Sequence, residues 1–175
     1  TMATIWVDQT VSASFDFGDA LNDGYIGLGT NNAKATFDDF QVQKLPPTIT
    51  FEYSAAEKPF DFSVGDWVLT AGQYTGTSEA GAYAVATQYL EVSAYSRLEM
   101  EAAIQTGTLG GLIFDYYNAD DFKFAAIKAD SNQIVIGHRT SRGWFIEAEA
   151  AYTVDAGQSY TLGVDMFGSN VSVTV

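Results

Sequence analysis

Acidic side chains dominate the residues of this chain that could do chemistry. The 175-residue sequence holds 22 Asp and Glu residues against eight Lys and Arg, with one His, no Cys and a formal net charge of −14. Glu99 and Glu101 form a close carboxylate pair, and their i, i+2 spacing in a strand separates the Cα atoms by about 6.5–7 Å. This spacing is compatible with the two-carboxylate chemistry of glycoside hydrolysis. Arg97 falls on the same face and would neutralise the pair, so hydrolysis is the least favoured function.

Aspartates are also clustered, and their chemistry is that of a hard-cation site. The clusters are Asp16 with Asp19, Asp38 with Asp39, Asp61 with Asp66, and Asp115 with Asp120 and Asp121. Asp oxygens are good Ca²⁺ ligands, but Asp also favours turns and strand ends. Two compatible interpretations follow: a solvated acidic surface, or one or two structural calcium sites. At the turn Asn118–Asp121, hydrogen bonding of the side chains to the turn backbone is favoured over a calcium site.

Charge and composition exclude several classes of function. A charge of −14 opposes binding to nucleic acid and to anionic membranes, which both require clustered Lys and Arg. Without Cys, the chain has no disulfide, thiolate metal site or Cys nucleophile, and the single His138 excludes an intrachain multi-His zinc site. No apolar run approaches the roughly 20 residues that span a bilayer, and no signal peptide is visible. We therefore expect no nucleic-acid partner and no membrane insertion.

Extended segments, rather than helices, must position these residues. Segment Ser96–Thr106 alternates strictly, with one apolar face made of Leu98, Met100, Ala102 and Ile104. Other β-rich runs follow between Gly, Asn and Asp turns: Gly111–Tyr117, Phe122–Ala129, Gln133–Thr140, Trp144–Glu149, Tyr160–Met166 and Val171–Val175. Many short strands of this spacing predict an antiparallel sandwich or barrel. Segment Ala80–Ala86 fits either a short helix or a strand.

The chain divides at its only Pro-Pro pair. Before it, Ala3–Val7, Thr10–Phe17, Tyr25–Gly29 and Lys34–Gln43 are predicted strands. Pro46 and Pro47 break a strand ladder and stiffen a connection. We predict that residues 1–45 are the C-terminal strands of one repeat unit and that 46–59 are a linker. Residues 60–175 would be the body of the next unit, and the two parts together make about one sandwich.

The two ends of the sequence repeat each other. TMATIWV at residues 1–7 aligns with SNVSVTV at 169–175, which sets Ile5 on Val173 and Val7 on Val175, 168 residues apart. That period is too long for a solenoid repeat and right for a whole β-sandwich, so a tandem array is predicted. These four residues are the predicted self-association residues. We expect the two end strands to compete for one position, which leaves an edge open to a neighbouring unit or a second copy.

Several of these stretches carry a resemblance to a known family. GYIGLGT at residues 24–30 followed by ATFDDFQV at 35–42, and GGLIFDYY at 110–117 followed by DFKFAA at 121–126, resemble concanavalin A-like jelly rolls of the laminin-G-like type. The resemblance implies an all-β, antiparallel two-sheet jelly-roll sandwich, circularly shifted or split across repeat units. Such modules occur, often in tandem, in giant secreted or surface-attached bacterial adhesin-like proteins. An extracellular, cell-surface location is therefore expected.

The resemblance also implies a calcium site. The acid of the final strand motif, here Asp38 with Asp39 beside it, often binds structural Ca²⁺ in related jelly rolls, and Asp61 is the counterpart near the first strand. The alternative is that Asp38 and Asp39 mark a β-bulge with both side chains in solvent. Related family 16 glycoside hydrolases carry Glu-x-Asp-x-x-Glu or a close variant on one strand. The segment around Glu99 lacks that pattern, so we expect no enzyme activity.

Aromatic residues offer a further binding chemistry, because aromatic rings stack on sugar faces. Trp67, Trp144, Tyr116 and Tyr117 are the candidates, and the alternative is that all four pack in the core. His138 and Arg139 are expected to be an exposed strand pair. The favoured function is a non-catalytic extracellular structural or adhesion module that assembles by strand exchange between units. The alternative is a Ca²⁺-dependent carbohydrate-binding module.

Overall fold

The computed structural model describes residues 2–7, 10–17, 24–45, 52–54, 60–90, 97–155, 157–168 and 170–175. Most of the predicted linker, residues 46–51 and 55–59, lies outside the described residues. The part within them, Glu52–Ser54, is a short strand. Asp19 also lies outside them. No described helix is long and apolar enough to cross a membrane.

All the regular structure in the described ranges is β-strand. The strands are β1 (Met2–Val7), β2 (Thr10–Asp16), β3 (Tyr25–Asn31), β4 (Lys34–Leu45), β5 (Glu52–Ser54), β6 (Asp61–Val64), β7 (Asp66–Thr70), β8 (Gln73–Thr77), β9 (Tyr83–Gln88), β10 (Arg97–Thr106), β11 (Leu109–Asn118), β12 (Asp121–Lys128), β13 (Gln133–Thr140), β14 (Gly143–Ala151), β15 (Tyr160–Phe167) and β16 (Asn170–Thr174). The all-β prediction is therefore confirmed. The ambiguous segment at Ala80–Ala86 leads into strand β9 and not into a helix.

The strands form two sheets. One sheet has nine strands in the order β2-β1-β16-β15-β10-β4-β8-β7, with β5 pairing with β4. The other has seven strands in the order β14-β13-β12-β11-β3-β9-β6. Neighbouring strands are antiparallel except for β1 and β16. A large core cluster draws residues from both sheets, so the architecture is a β-sandwich.

The period-2 pattern of β10 places its apolar face in that core. Leu98, Ala102 and Ile104 are fully buried and Met100 is 1% exposed, as the alternation predicts. A second, smaller cluster holds Val85, Ile113, Phe122 and other residues of the seven-stranded sheet. Because side chains alternate along each strand, this second cluster lies on the outer face of the seven-stranded sheet.

Strands from before the Pro-Pro pair lie inside both sheets. Strand β3 pairs with β11 on one side and β9 on the other, and β4 lies between β10 and β8. Leu28 of β3 and Phe37 of β4 are at most 1% exposed. The two predicted parts of the chain therefore build one sandwich together.

The two end strands do not compete for one position. They lie side by side in the nine-stranded sheet as a parallel pair, with Thr4 opposite Ser172 and Ile5 opposite Val173. Val173 and Val175 are buried in the core. The expectation of competition was wrong because it assumed that like strands must share one neighbour. A parallel ladder also lets like strands neighbour each other.

Candidate functional site

Five side chains on the outer face of the seven-stranded sheet form a cluster that we call the arginine cluster. It consists of Tyr83, Phe122, Phe124, Arg139 and Trp144. Cross-strand pairing sets Arg139 of β13 opposite Trp144 of β14. The Trp144 ring meets Phe122, Phe124 and Tyr83 edge-on, at centroid distances of 5.6, 5.2 and 5.5 Å. These edge-to-face contacts cover part of the apolar sheet face.

The guanidinium group of Arg139 lies over two rings of this cluster. Its guanidinium carbon lies 4.6 Å from the Tyr83 ring centroid and 5.4 Å from that of Trp144. Its Nε donates to the Ala119 carbonyl at 3.2 Å, and a terminal nitrogen contacts Asp120 Oδ1 at 2.8 Å. The Tyr83 hydroxyl donates to the same Ala119 carbonyl at 2.8 Å. The prediction of an exposed strand residue is therefore wrong for Arg139, whose side chain is 16% exposed.

Side-chain contacts also involve the predicted turn Asn118–Asp121 and His138, the residue before Arg139. In the turn Asn118–Asp121, Asn118 Oδ1 accepts from the Asp120 backbone N–H at 2.8 Å, which is the expected turn chemistry. His138 is partly buried and not exposed. Its Nδ1 lies 2.9 Å from Glu147 Oε1, and its ring stacks on Phe145. Both contacts tie His138 to the neighbouring strand.

A buried ion pair follows at the bulge of β11. Asp115 has a positive φ of 46° where the strand register shifts, and its carboxylate is fully buried. Lys123 of β12 reaches it with Nζ 3.0 Å from Oδ2. Lys123 Nζ also lies 5.7 Å from the Phe17 ring centroid. A buried carboxylate with this pairing is a structural anchor, because leaving it unpaired is costly.

Three tyrosines, which we call the tyrosine cluster, lie on the same sheet face and adjoin the arginine cluster, since the Tyr116 ring lies 5.7 Å from that of Phe122. Tyr25 of β3 meets Tyr89 at 5.2 Å and Tyr116 of β11 at 6.3 Å between ring centroids. Tyr116 is 9% exposed, whereas Tyr25 is 39% and Tyr89 61% exposed. Burial raises the pKa of Tyr116, and a hydrogen bond with Ser63 lowers it in part. Two large aromatic rings are thus left open to solvent beside hydroxyl groups.

The four aromatic residues predicted to bind sugar are divided between the two sheets. Tyr116 and Trp144 lie on the outer face of the seven-stranded sheet, where both rings contact Phe122, at 5.7 and 5.6 Å between centroids, and Tyr117, the next residue after Tyr116, is 48% exposed. Trp67 lies on β7 of the other sheet and is 9% exposed. Its ring covers Gly76, where an added Cβ would come within 2.8 Å, and its Nε1 donates to the Val64 carbonyl at 3.0 Å. Trp67 therefore packs the sandwich and is not a surface for stacking.

The predicted calcium residues lie on different sheets. Asp38 and Asp39 are exposed on β4 of the nine-stranded sheet, while Asp61 is exposed on β6 of the other sheet. Asp39 has a φ of 51° at a register shift, and its N–H donates to Asp38 Oδ1 at 2.9 Å. This is the β-bulge named as the alternative. No group of three or more His, Asp or Glu side chains converges in the described ranges, and calcium binding stays a prediction.

Glu99 of the carboxylate pair on β10 is part of an ion cluster at the surface. Arg97 forms two hydrogen bonds with Asp165, at 2.9 and 2.8 Å, and lies 3.0 Å from Glu99. Burial, then the charge of Asp165, raises the pKa of Glu99, while Arg97 opposes the shift. The expected contact of Arg97 with the pair is thus present at Glu99.

Sequence reasoning missed Arg139, Tyr25 and Tyr89. The available signal was period-2 alternation: Ile26 and Leu28 are core residues, so Tyr25 must face outward. The same alternation places Arg139 on the face of Val135. Comparison with known proteins finds no match among family models, curated proteins or solved structures.

Proposed function

We propose that this chain is a non-catalytic, extracellular structural or adhesion module of a bacterial tandem-repeat protein. Its sandwich would be a concanavalin A-like jelly roll, and it would act by completing sheets between neighbouring units. Strands β3 and β4 support this proposal, because each lies between two strands from the part of the chain after the Pro-Pro pair. Sheet completion is a known mode of association, in which backbone hydrogen bonds supply affinity.

The side-chain chemistry agrees with a structural role. Of the carboxylate pair with hydrolase spacing, Glu99 forms an ion pair with Arg97. The buried carboxylate of Asp115 pairs with Lys123, and Arg139 hydrogen-bonds a turn to the sheet. These groups stabilise the fold and its outer face.

A split chain tests sheet completion directly. Residues 46–175 are produced alone and then mixed with a peptide of residues 1–45, and thermal unfolding is followed by circular dichroism. We expect cooperative unfolding only after mixing, because the body alone lacks the inner strands of both sheets. A peptide carrying Leu28→Asp is the matched control and should fail, since Leu28 is fully buried. Cooperative unfolding of 46–175 alone at the melting temperature of the whole chain would contradict the proposal.

A second candidate function, binding of glycans, is favoured by the exposed rings of Tyr25 and Tyr89. Such rings can stack on sugars while nearby hydroxyls hydrogen-bond, and the charge of −14 favours neutral over acidic glycans. Titration with neutral oligosaccharides, with Ca²⁺ and with chelator, is the test. Tyr89→Ala should abolish binding, whereas Phe167→Ala, at a residue 55% exposed on the other sheet, should not. Equal binding by both variants would remove this candidate.

A further inference from the structure

We infer that the β1–β2 hairpin exchanges between two copies of this chain at the boundary between β1 and β16. The inference rests on the proposed function and names its partner, a second copy, and its place in the sheet. Thr4 faces Ser172 and Ile5 faces Val173, which are also the residues that align between the two ends of the sequence. Like strands therefore pair in register.

One strand pairing ties this hairpin to its sheet. Strand β2 ends the described nine-stranded sheet, β1 follows it, and the next strand is β16. The β1–β16 pair is the one parallel pair among the described strand pairs, and parallel pairing is slightly less stable per residue. By contrast, β3 and β4 each have described neighbours on both sides. The hairpin can therefore detach from the nine-stranded sheet with the loss of one set of strand hydrogen bonds, those between β1 and β16.

A second copy offers the hairpin the same packing surface that it covers in its own chain. Phe15 and Phe17 of the hairpin region pack against the core, and the Phe17 ring lies 6.4 Å from that of Phe114. Because the two chains are identical, reciprocal exchange restores each of these ring packings in the partner. Such exchange of an identical element between protomers is a low-cost route to a dimer. Val173 and Val175 keep β16 seated in the core as the receiving strand.

The absence of Cys allows a clean crosslinking test in the whole chain. The variant Ile5→Cys with Val173→Cys is equilibrated at several concentrations, oxidised and separated on a non-reducing gel. We expect a covalent dimer beside the internally linked monomer. At low occupancy, mass action predicts that the ratio of dimer to monomer rises about tenfold for a tenfold rise in concentration.

A matched control uses the neighbouring strand pair. Val164 and Val173 face each other across β15 and β16, and a short turn joins these strands. Val164→Cys with Val173→Cys should therefore give an internal crosslink at every concentration. If the first variant does not fold, Thr4→Cys with Ser172→Cys tests the adjacent pair.

Two results would overturn the inference. One is an internal crosslink alone at all concentrations in the β1–β16 variants. The other is dimer formation by the β15–β16 control to the same extent, which would show unspecific crosslinking. Either result leaves the split-chain experiment unaffected, so failure of hairpin exchange is distinguishable from failure of sheet completion.

Discussion

The two aromatic clusters on the outer face of the seven-stranded sheet meet at Tyr116 and Phe122 and differ in how far their other rings are covered. In the arginine cluster, Arg139 lies over Tyr83 and Trp144 and also holds the Ala119 carbonyl. In the tyrosine cluster, 39% of Tyr25 and 61% of Tyr89 remain exposed. Aromatic content alone thus does not distinguish a packed sheet face from an open one. The arginine cluster contains a cation, Arg139, that contacts both its rings and the turn at Ala119.

We expect the largest effect at the Asp115–Lys123 pair, whose Lys123 side chain alternates along β12 with the outer-face residues Phe122 and Phe124. Lys123→Met removes the cation beside a fully buried carboxylate and should cost about 3–5 kcal/mol of the free energy of unfolding. Chemical denaturation at pH 7 measures it. The double variant Lys123→Met with Asp115→Asn should lose less than the single one. A single variant as stable as the parent would show that Asp115 does not need Lys123.

Ring removal should separate the two clusters clearly. Trp144→Ala removes its packing against three rings and should cost about 2–4 kcal/mol, slightly less than a full core truncation. Tyr89→Ala removes a ring that is 61% exposed and should cost under about 1 kcal/mol. Thermal unfolding of both variants gives the comparison. Equal losses would mean that the two clusters are packed alike.

The role of the cation itself is tested by Arg139→Met, which keeps much of the side-chain bulk. Removing the cation from the rings, together with its bonds to Ala119 and Asp120, should cost about 1–2 kcal/mol. Arg142→Met, at an exposed turn residue, is the matched control and should stay within about 0.5 kcal/mol of the parent. The same loss in both variants would assign the effect to overall charge.

The sequence predicted the part of the fold that local alternation controls. Leu98 and Ile104 are buried because period-2 patterning sets which face of a strand is apolar. Arg139 was not predicted to be covered, since its contacts with Tyr83 and Ala119 depend on which distant strands become neighbours. The likeness of residues 1–7 and 169–175 was also visible, but likeness fits either one shared position or two adjacent ones. Only the sheet order distinguishes these arrangements.

The smallest change in the free energy of unfolding is expected at the exposed ion cluster on β10. Burial and Asp165 raise the pKa of Glu99, so the folded state binds this proton more tightly than the unfolded state. The stability that protonated Glu99 contributes is therefore present at acid pH and is lost as pH rises from the unfolded pKa, about 4.3, through the raised folded value.

Glu99→Gln should consequently match or slightly exceed the melting temperature of the parent at pH 7, and this advantage should vanish below about pH 4. Glu99 has 37% of its side chain exposed, so solvent screening and removal of the Arg97 ion pair keep the gain under about 0.5 kcal/mol. Scanning calorimetry across this pH range measures the difference, with Glu149→Gln on the exposed edge strand β14 as control. A Glu99→Gln variant that is less stable than the parent at pH 7 but equal to it at pH 4 would show that the Arg97 ion pair outweighs burial. The exposed ion cluster would then be a stabilising element of the nine-stranded sheet, in the way that Arg139 is for the seven-stranded one.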